Sequence, residues 1–310
     1  MDKILANNQK TYIITADWHV RGEAPRCRLD ENWLESQRKD IQFVIDTANK
    51  HKADCIFMVG DMFDTSRVST EALNMLLGTL SASKVPFYVL PGNHDLLDHA
   101  YANIEKSSLG VVFKSFPELS STPEWDAYPF GKDAPGDKPL RFVHRLVFPD
   151  AAARPMEDCG TTAEEIALEF KNNDIIICGD YHHSFVYQHP TTGQTVINPG
   201  CLNIQKADMK DYQPSIYVVT VDYSAPRPLI PTIKKVDLPQ SKDNIVTDVY
   251  LVQAKEKDAR MEAFLEGLEG KSAISLSFRD NLELKQHSLN PGVQAILTEI
   301  QQEASLATIK

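Results

Sequence analysis

The chain has 310 residues, 42% of them hydrophobic and 24% charged, enough for one large α/β domain and a small second one in a soluble globular protein. Its formal net charge of −11 excludes a protein that coats nucleic acid through a broad basic surface, though not an enzyme that acts on nucleic acid. The polar first ten residues are not expected to be a signal peptide, no apolar run approaches membrane-spanning length, and five cysteines without paired spacing suit reduced thiols in a cytoplasm.

Tyr12-Ile13-Ile14-Thr15 reads as a short strand running into Asp17. A polar loop over 21–28, carrying Arg21, Arg26 and Arg28, precedes a helix with Leu34, Ile41, Ile45 and Ala48 on one face. Residues 54–59 form a buried strand, Leu73, Leu76, Leu77 and Leu80 recur at helical spacing, and 85–90 is again a strand, ended by Pro91-Gly92. Strand, helix, strand, helix, strand is the pattern of a parallel sheet with right-handed crossovers.

From 107 to 139 the signal weakens to short β-like pieces at 111–113 and 125–130 and an exposed loop over 131–139. A strand over 140–148 carries His144, and Thr162-x-x-Glu165 predicts a capping box that opens a helix. Residues 174–178 form another buried strand, 185–188 and 194–197 a hairpin, and 215–221 a closing strand. Pro226, Pro228, Pro231 and Pro239 mark a boundary, giving a main domain over 1–238 and a small one over 239–310. The small one reads as strand (245–254), helix (Met261, Phe264, Leu265, Leu268) and alternating strand (Ile274, Leu276, Phe278). A last helix starts at Asn290-Pro291 with Val293, Ile296, Leu297 and Ile300 on its apolar face. This β-α-β piece is too small for an independent core and is expected to lean on the main domain.

Four predicted strands end in polar residues: Asp17-Trp18-His19, Gly60-Asp61-Met62-Phe63-Asp64, Gly92-Asn93-His94-Asp95 and Gly179-Asp180-Tyr181-His182. Ligands bind at such carboxyl ends in α/β sheets, and Asp, His and Asn converging there make a metal site. An oxygen and nitrogen donor set without thiolate points to Mn²⁺, Fe or Zn²⁺. One carboxylate can bridge two such ions, roughly 3.5–4 Å apart, which together clamp a phosphate and activate water. An unligated His beside them can protonate the leaving alkoxide. Among single residues, Asp64 either supports a ligand or caps its loop, and His144 is a ligand or a satisfied core histidine. His183 is read as a surface or supporting residue, and His51, His99, His189 and His287 as solvated. The three loop arginines contact a phosphate backbone or are simply exposed.

These motifs, with His144 in between, resemble in order the signature of calcineurin-like metallophosphoesterases over residues 11–222. The resemblance implies a two-sheet β-sandwich flanked by helices, a form of α/β fold that periodicity alone does not separate from a doubly wound sheet. It implies that Asp17, His19 and His182 hold one metal, Asn93 and His144 a second, and Asp61 bridges them. His94 would be the general acid, oriented by Asp95. The family usually has Gly-His-x-His in its last motif, so Asp180 is read as a changed ligand to the second metal.

Asp-Trp-His and Gly-Asp-Met-Phe-Asp, with the small β-α-β piece as a cap, further resemble SbcD-type DNA exonuclease subunits and their phage relatives. That implies DNA as substrate, exo- or endonucleolytic cleavage with two divalent metals (Mn²⁺ first, Fe or Zn²⁺ as alternatives), and an SMC-like ATPase partner docked through C-terminal helices. A homodimer is left open, and no membrane association is expected. The alternative is a phosphoesterase acting on a nucleotide, another small molecule or a phosphoprotein, and the third reading is a scaffold that keeps the fold without catalysis.

Overall fold

The computed structural model describes residues 8–116, 124–127, 139–156, 158–239, 246–249 and 290–294, with only the backbone of 124–127. The chain divides into two units, Met1–Tyr250 and Leu251–Lys310. Of the second unit only 290–294 is described; there Asn290 accepts from the Gly292 N–H and a helix begins at Pro291. The strand expected over 245–254 is described only at 246–249, where Val246 makes a single bridge to Arg28 and the chain is not a strand; the helix and strand expected after it lie outside the described residues.

In the first unit, strands β1 (Gln9–Thr15), β2 (Cys55–Val59) and β3 (Phe87–Leu90) alternate with helices α1 (Trp33–His51) and α2 (Thr70–Ser81). β1, β2 and β3 pair in parallel, as strand–helix–strand crossovers require. Asn32 caps α1 by accepting from the Glu35 N–H, and Lys52, at φ 51°, ends it. Ile41, Val44, Ile45 and Ala48 of α1 and Ala72, Leu76 and Leu80 of α2 bury against one face of the sheet, together with Leu109 and Val112. The last two belong to α3 (Ser108–Ser115), so 111–113 is helical and not strand as the sequence suggested. Ser107 caps that helix, and its Val111-Val112-Phe113 run satisfies either period over so few residues.

β11 (Ser215–Asp222) adds to β1 antiparallel, and β12 (Thr232–Asp237) to β11, giving the order β12-β11-β1-β2-β3. β12 falls inside the proline-bearing stretch read as a boundary; its Lys234 and Lys235 keep it exposed at a sheet edge.

A second sheet has the order β4-β5-β8-β10-β9, from β4 (Glu124–Ala127), β5 (Leu140–His144), β8 (Ile175–Gly179), β9 (Phe185–Gln188) and β10 (Thr195–Asn198). The strand expected over 140–148 breaks after His144, and Val147–Phe148 (β6) pairs with Thr161–Thr162 (β7). Tyr12, Ile14, Phe57 and Val219 of the first sheet meet Leu140, Phe142, Ile175, Ile177 and Ile197 of the second in one buried layer. α4 (Ala163–Glu169) covers the outer face with Ala163, Ile166 and Ala167. The first unit is therefore a two-sheet sandwich with helices outside, as the resemblance implied.

The capping box is present. Thr162 Oγ1 accepts from the Glu165 N–H at 3.2 Å, and Glu165 Oε2 accepts from the Thr162 N–H at 2.8 Å. Thr162→Ala should cost about 1 kcal/mol and lower the melting temperature by about 2–4 °C, while Thr162→Ser should leave it unchanged, as thermal denaturation will show.

Candidate metal centre

The parallel pairing of β1 and β2 continues past both strands. The Asp17 N–H donates to the Gly60 carbonyl and the His19 N–H to the Asp61 carbonyl, each at 3.0 Å, and the Val20 N–H to Met62 at 2.9 Å. The backbone turns left-handed here at Asp17 (φ 50°), His19 (φ 46°), Gly60 (φ 84°) and Asp61 (φ 55°), and again at Asp180 (φ 83°). Such conformations are costly for residues other than glycine and persist where surrounding structure imposes them. Here they turn side chains from adjacent strands toward one space.

Asp61 Oδ2 lies in the middle of it, 3.2 Å from His144 Nε2 and 3.9 Å from His19 Nε2. On one side His19 Nε2 and His182 Nε2 face each other at 3.1 Å, and Asp17 completes a close group with them. On the other side His144 Nε2 is 3.1 Å from Asn93 Oδ1, and Asp17, Asp61 and His144 form a second close group. His144 Nδ1 donates to the Val59 carbonyl at 3.0 Å, which turns Nε2 inward. Its ring lies against Gly60 and Gly179, where a Cβ would strike it. Asp61 Oδ2 and His19 Nδ1 are buried polar atoms with no hydrogen-bond partner. Buried acceptors left unpaired among converging nitrogens and carboxylates fit divalent cations, with Asp61 shared between two of them.

A family model described as calcineurin-like phosphoesterase matches residues 10–184, more than half of the chain. The chain belongs to that family. A stretch of 87 residues of this phosphoesterase, 27% of its length, is 31% identical to the SbcD component of the nuclease SbcCD of Staphylococcus epidermidis. It spans 22% of that relative. Similar solved structures include a dimetal phosphatase from Danio rerio, at 12% identity and a TM-score of 0.40, covering 75% of this chain and 99% of that one. Another is a metallophosphoesterase from Sphaerobacter thermophilus, at 15% identity and a TM-score of 0.36, covering 73% of this chain and 88% of that one.

Asp17, His19, Asp61, Asn93, His144 and His182 are thus brought together. Asp180 is placed differently: its backbone N–H donates to both carboxylate oxygens of Asp17, at 3.1 and 3.2 Å, and it belongs to none of the close donor groups. The Asp95 carboxylate turns to the backbone and not to the His94 imidazole. Buried, it accepts from the N–H groups of Gly92, Met62 and Phe63 at 2.9, 3.2 and 2.8 Å, tying the Asn93–His94 turn to the end of β2. His94 Nδ1 instead donates to the Asp64 carbonyl at 2.7 Å. The Asp64 carboxylate sits 3.8 Å from His19 Nδ1 and 3.0 Å from Arg21 Nη1, so it supports this edge of the site.

Arg28 is buried, paired to Asp30 and stacked over Trp33, and is not a phosphate contact. His189, expected to be solvated, is buried and accepts at Nδ1 from the N–H groups of Thr191 and Thr192 in the β9–β10 turn. His99, read as solvated, is exposed, and its Nδ1 also donates to the Asn93 carbonyl at 2.9 Å.

Burial lowers His19 to about 3 and, with Lys206 nearby, His182 to about 4, so both are neutral and ready to ligate at pH 7. Burial alone would lower His144 too, but its contact with Asp61 and the charges of Asp61, Asp17 and Asp180 raise it to about 10. Burial would likewise raise Asp61, yet His144 and the neighbouring histidines bring it down to about 2. Burial, then the Asp61 charge, raise Asp95 to about 7 against its three backbone bonds.

A ligand must shed its proton to bind metal. His144 carries one at pH 7, and burial raises the Asp17 carboxyl well above the usual carboxylate range, so Mn²⁺ binding should release one proton or more and tighten as pH rises from 6 to 8. Titration calorimetry in buffers of different ionisation enthalpy measures it; uptake of a proton would contradict the assignment.

Proposed function

We propose that this phosphoesterase is a Mn²⁺-dependent DNA nuclease of the SbcD type. The observation that carries a dinuclear centre is the single buried oxygen, Asp61 Oδ2, between two donor sets. The nuclease assignment is supported by the stretch 31% identical to the SbcD component of SbcCD. Asp17, His19 and His182 would hold one ion, Asn93 and His144 the other, with Asp61 shared and Asp180 adding its charge to the second. The absence of thiolate and the many carboxylates favour Mn²⁺. When bound, the two ions supply Lewis acidity toward the phosphate and the attacking water.

The chain's own residues do the rest. His94 is held through Nδ1 by the Asp64 carbonyl and is exposed, which leaves Nε2 for the substrate. As an imidazolium it gives the Nε2 proton to the departing 3′ oxygen while the Nδ1 bond keeps the ring in place. Asp95 keeps the turn that carries Asn93 and His94 against Asp61. The N–H groups of Asp180 and His94 hold the Asp17 and Asp61 carboxylates in position, the latter at 2.9 Å.

An acidic chain binds DNA weakly and loses it readily in salt, so an SMC-like ATPase supplying further contacts is part of this reading. Of the C-terminal helices that would dock it, only the start at 291–294 is among the described residues. All five cysteines are free and four are buried, which suits the reducing cytoplasm expected for such a nuclease. No described helix is long and apolar enough to cross a membrane.

With Mn²⁺, linear duplex DNA, single-stranded DNA and a small aryl phosphodiester form the test panel. DNA cleavage abolished by a chelator is expected. Turnover of the aryl ester alone, even with a cognate ATPase added, would replace the nuclease with a small-molecule phosphodiesterase. His94→Asn should lower the rate by about a hundredfold or more and keep both metals, because the residue donates a proton and holds no ion. Loss of a metal in that variant, measured by mass spectrometry, would show that role to be wrong.

A further inference from the structure

Beside the metal centre lies a third close group of donors, built from atoms that the two ions above do not use. A ring nitrogen of His19, a ring nitrogen of His94 and a carboxylate oxygen of Asp64 all lie within 4.8 Å of one another. The two nitrogens of His19 face different places. Nε2 faces His182 at 3.1 Å and Asp61 Oδ2 at 3.9 Å, whereas Nδ1 faces Asp64 Oδ1 at 3.8 Å. That last spacing is too long for a hydrogen bond. Yet Nδ1 is buried and has no hydrogen-bond partner among the described residues, in a histidine only 3% exposed. Arg21 Nη1 takes the other oxygen of Asp64, Oδ2, at 3.0 Å, which leaves Oδ1 to the imidazole. His94 completes the group from the exposed side, its ring at 87° to that of His19 with centres 5.1 Å apart. Asp64 thus meets His94 through its carbonyl, at 2.7 Å from Nδ1, and His19 through its side chain.

We propose that His19 Nδ1, Asp64 and His94 form a third cation site, for Zn²⁺, and that filling it inhibits the enzyme. The site stands on its own donor atoms, whereas the inhibition rests on the nuclease reading, in which His94 gives the proton. Two imidazole nitrogens and one carboxylate oxygen are a donor set that zinc takes readily, with solvent in the fourth position on the exposed side. Mn²⁺ prefers more oxygen and binds such a set less tightly than Zn²⁺. Zinc–donor bonds of about 2.0–2.2 Å let one ion span Nδ1 and Oδ1 where no hydrogen bond can. Tetrahedral ligation needs the donors closer than they stand, and His94, the exposed member, has room to swing in. The ion replaces the Nδ1 proton of His19, which leaves to solvent, and that ring then carries a cation on each nitrogen as an imidazolate. The Arg21 guanidinium and the two ions of the centre oppose further positive charge, so this site fills last. A coordinated imidazole cannot also be an imidazolium; the third ion therefore takes from His94 the proton that the departing oxygen needs.

Equilibrium dialysis against Zn²⁺ alone, with bound metal counted by mass spectrometry, tests the site whatever the substrate. Wild type should bind three zinc ions per chain, the third more weakly than the first two. Asp64→Ala and His94→Ala should each bind two, and the two retained ions also show that the variants are folded. Only two ions in wild type at saturation would overturn the site and leave Asp64 as an acceptor that closes on the His19 Nδ1–H. Three ions in either variant would put the third one elsewhere and overturn the site as well. No bound zinc in wild type would overturn the dinuclear centre and the third site together. The second arm is the rate on whichever substrate of the panel above is turned over. Raising zinc from two-ion to three-ion occupancy should lower that rate about a hundredfold in wild type and leave Asp64→Ala at its own rate. A three-zinc protein as fast as the two-zinc one would overturn the inhibition.

Discussion

The Asp61 carboxylate is the constraint on which the rest of this structure depends. One oxygen accepts from the His94 N–H at 2.9 Å, and the other, buried and without a directed hydrogen bond, faces His144 and His19. A negative charge in such a place is tolerable only with positive charge close by. The surrounding architecture brings that about. Parallel pairing carried past β1 and β2 sets Asp17 and His19 beside Asp61, the second sheet delivers His144, Asp180 and His182, and the Asp95 bonds fasten the turn with Asn93 and His94. Glycines at 60, 92 and 179 allow these pieces to touch, since a Cβ at any of them would meet His144, Asp61 or the Val59 carbonyl.

The sandwich explains why such a site can be stiff. Phe57 and Phe142, from facing sheets, pack with ring centres 4.3 Å apart beneath the strand ends. A layer of Ile, Val, Phe and Tyr closes the space between the sheets. Interiors packed this densely do not yield gradually, so left-handed conformations at Asp17, His19, Asp61 and Asp180 can be held against their intrinsic cost. Exposed His94 stands at the edge of this rigid cluster, where the proton donor proposed above would meet both substrate and solvent.

Much of this was legible in the sequence, for a physical reason. Apolar runs ending in Gly-Asp or Gly-Asn-His mark buried strands that stop at a polar edge, and the structure joins those ends as expected. The capping box at Thr162 and the α1 and α2 stripes were equally readable, because each rests on local geometry. What escaped depends on tertiary context. The 111–113 run satisfies strand and helix periods alike, and β12 hides among prolines because an exposed edge strand needs no apolar alternation. Asp95 follows His94 directly, yet its carboxylate turns to three backbone N–H groups, and the Asp64 carbonyl takes the imidazole instead. Backbone groups as partners leave no trace in residue identity, which is also why the part played by Val59 could not be read in advance.

Anomalous diffraction at the manganese edge from Mn²⁺-soaked crystals tests most directly whether Asp61 is shared between two cations. The prediction is two peaks on either side of Asp61 Oδ2, one also touched by Asp17, His19 and His182, the other by Asn93 and His144. A single peak, or two peaks of which only one lies against Asp61, would contradict it.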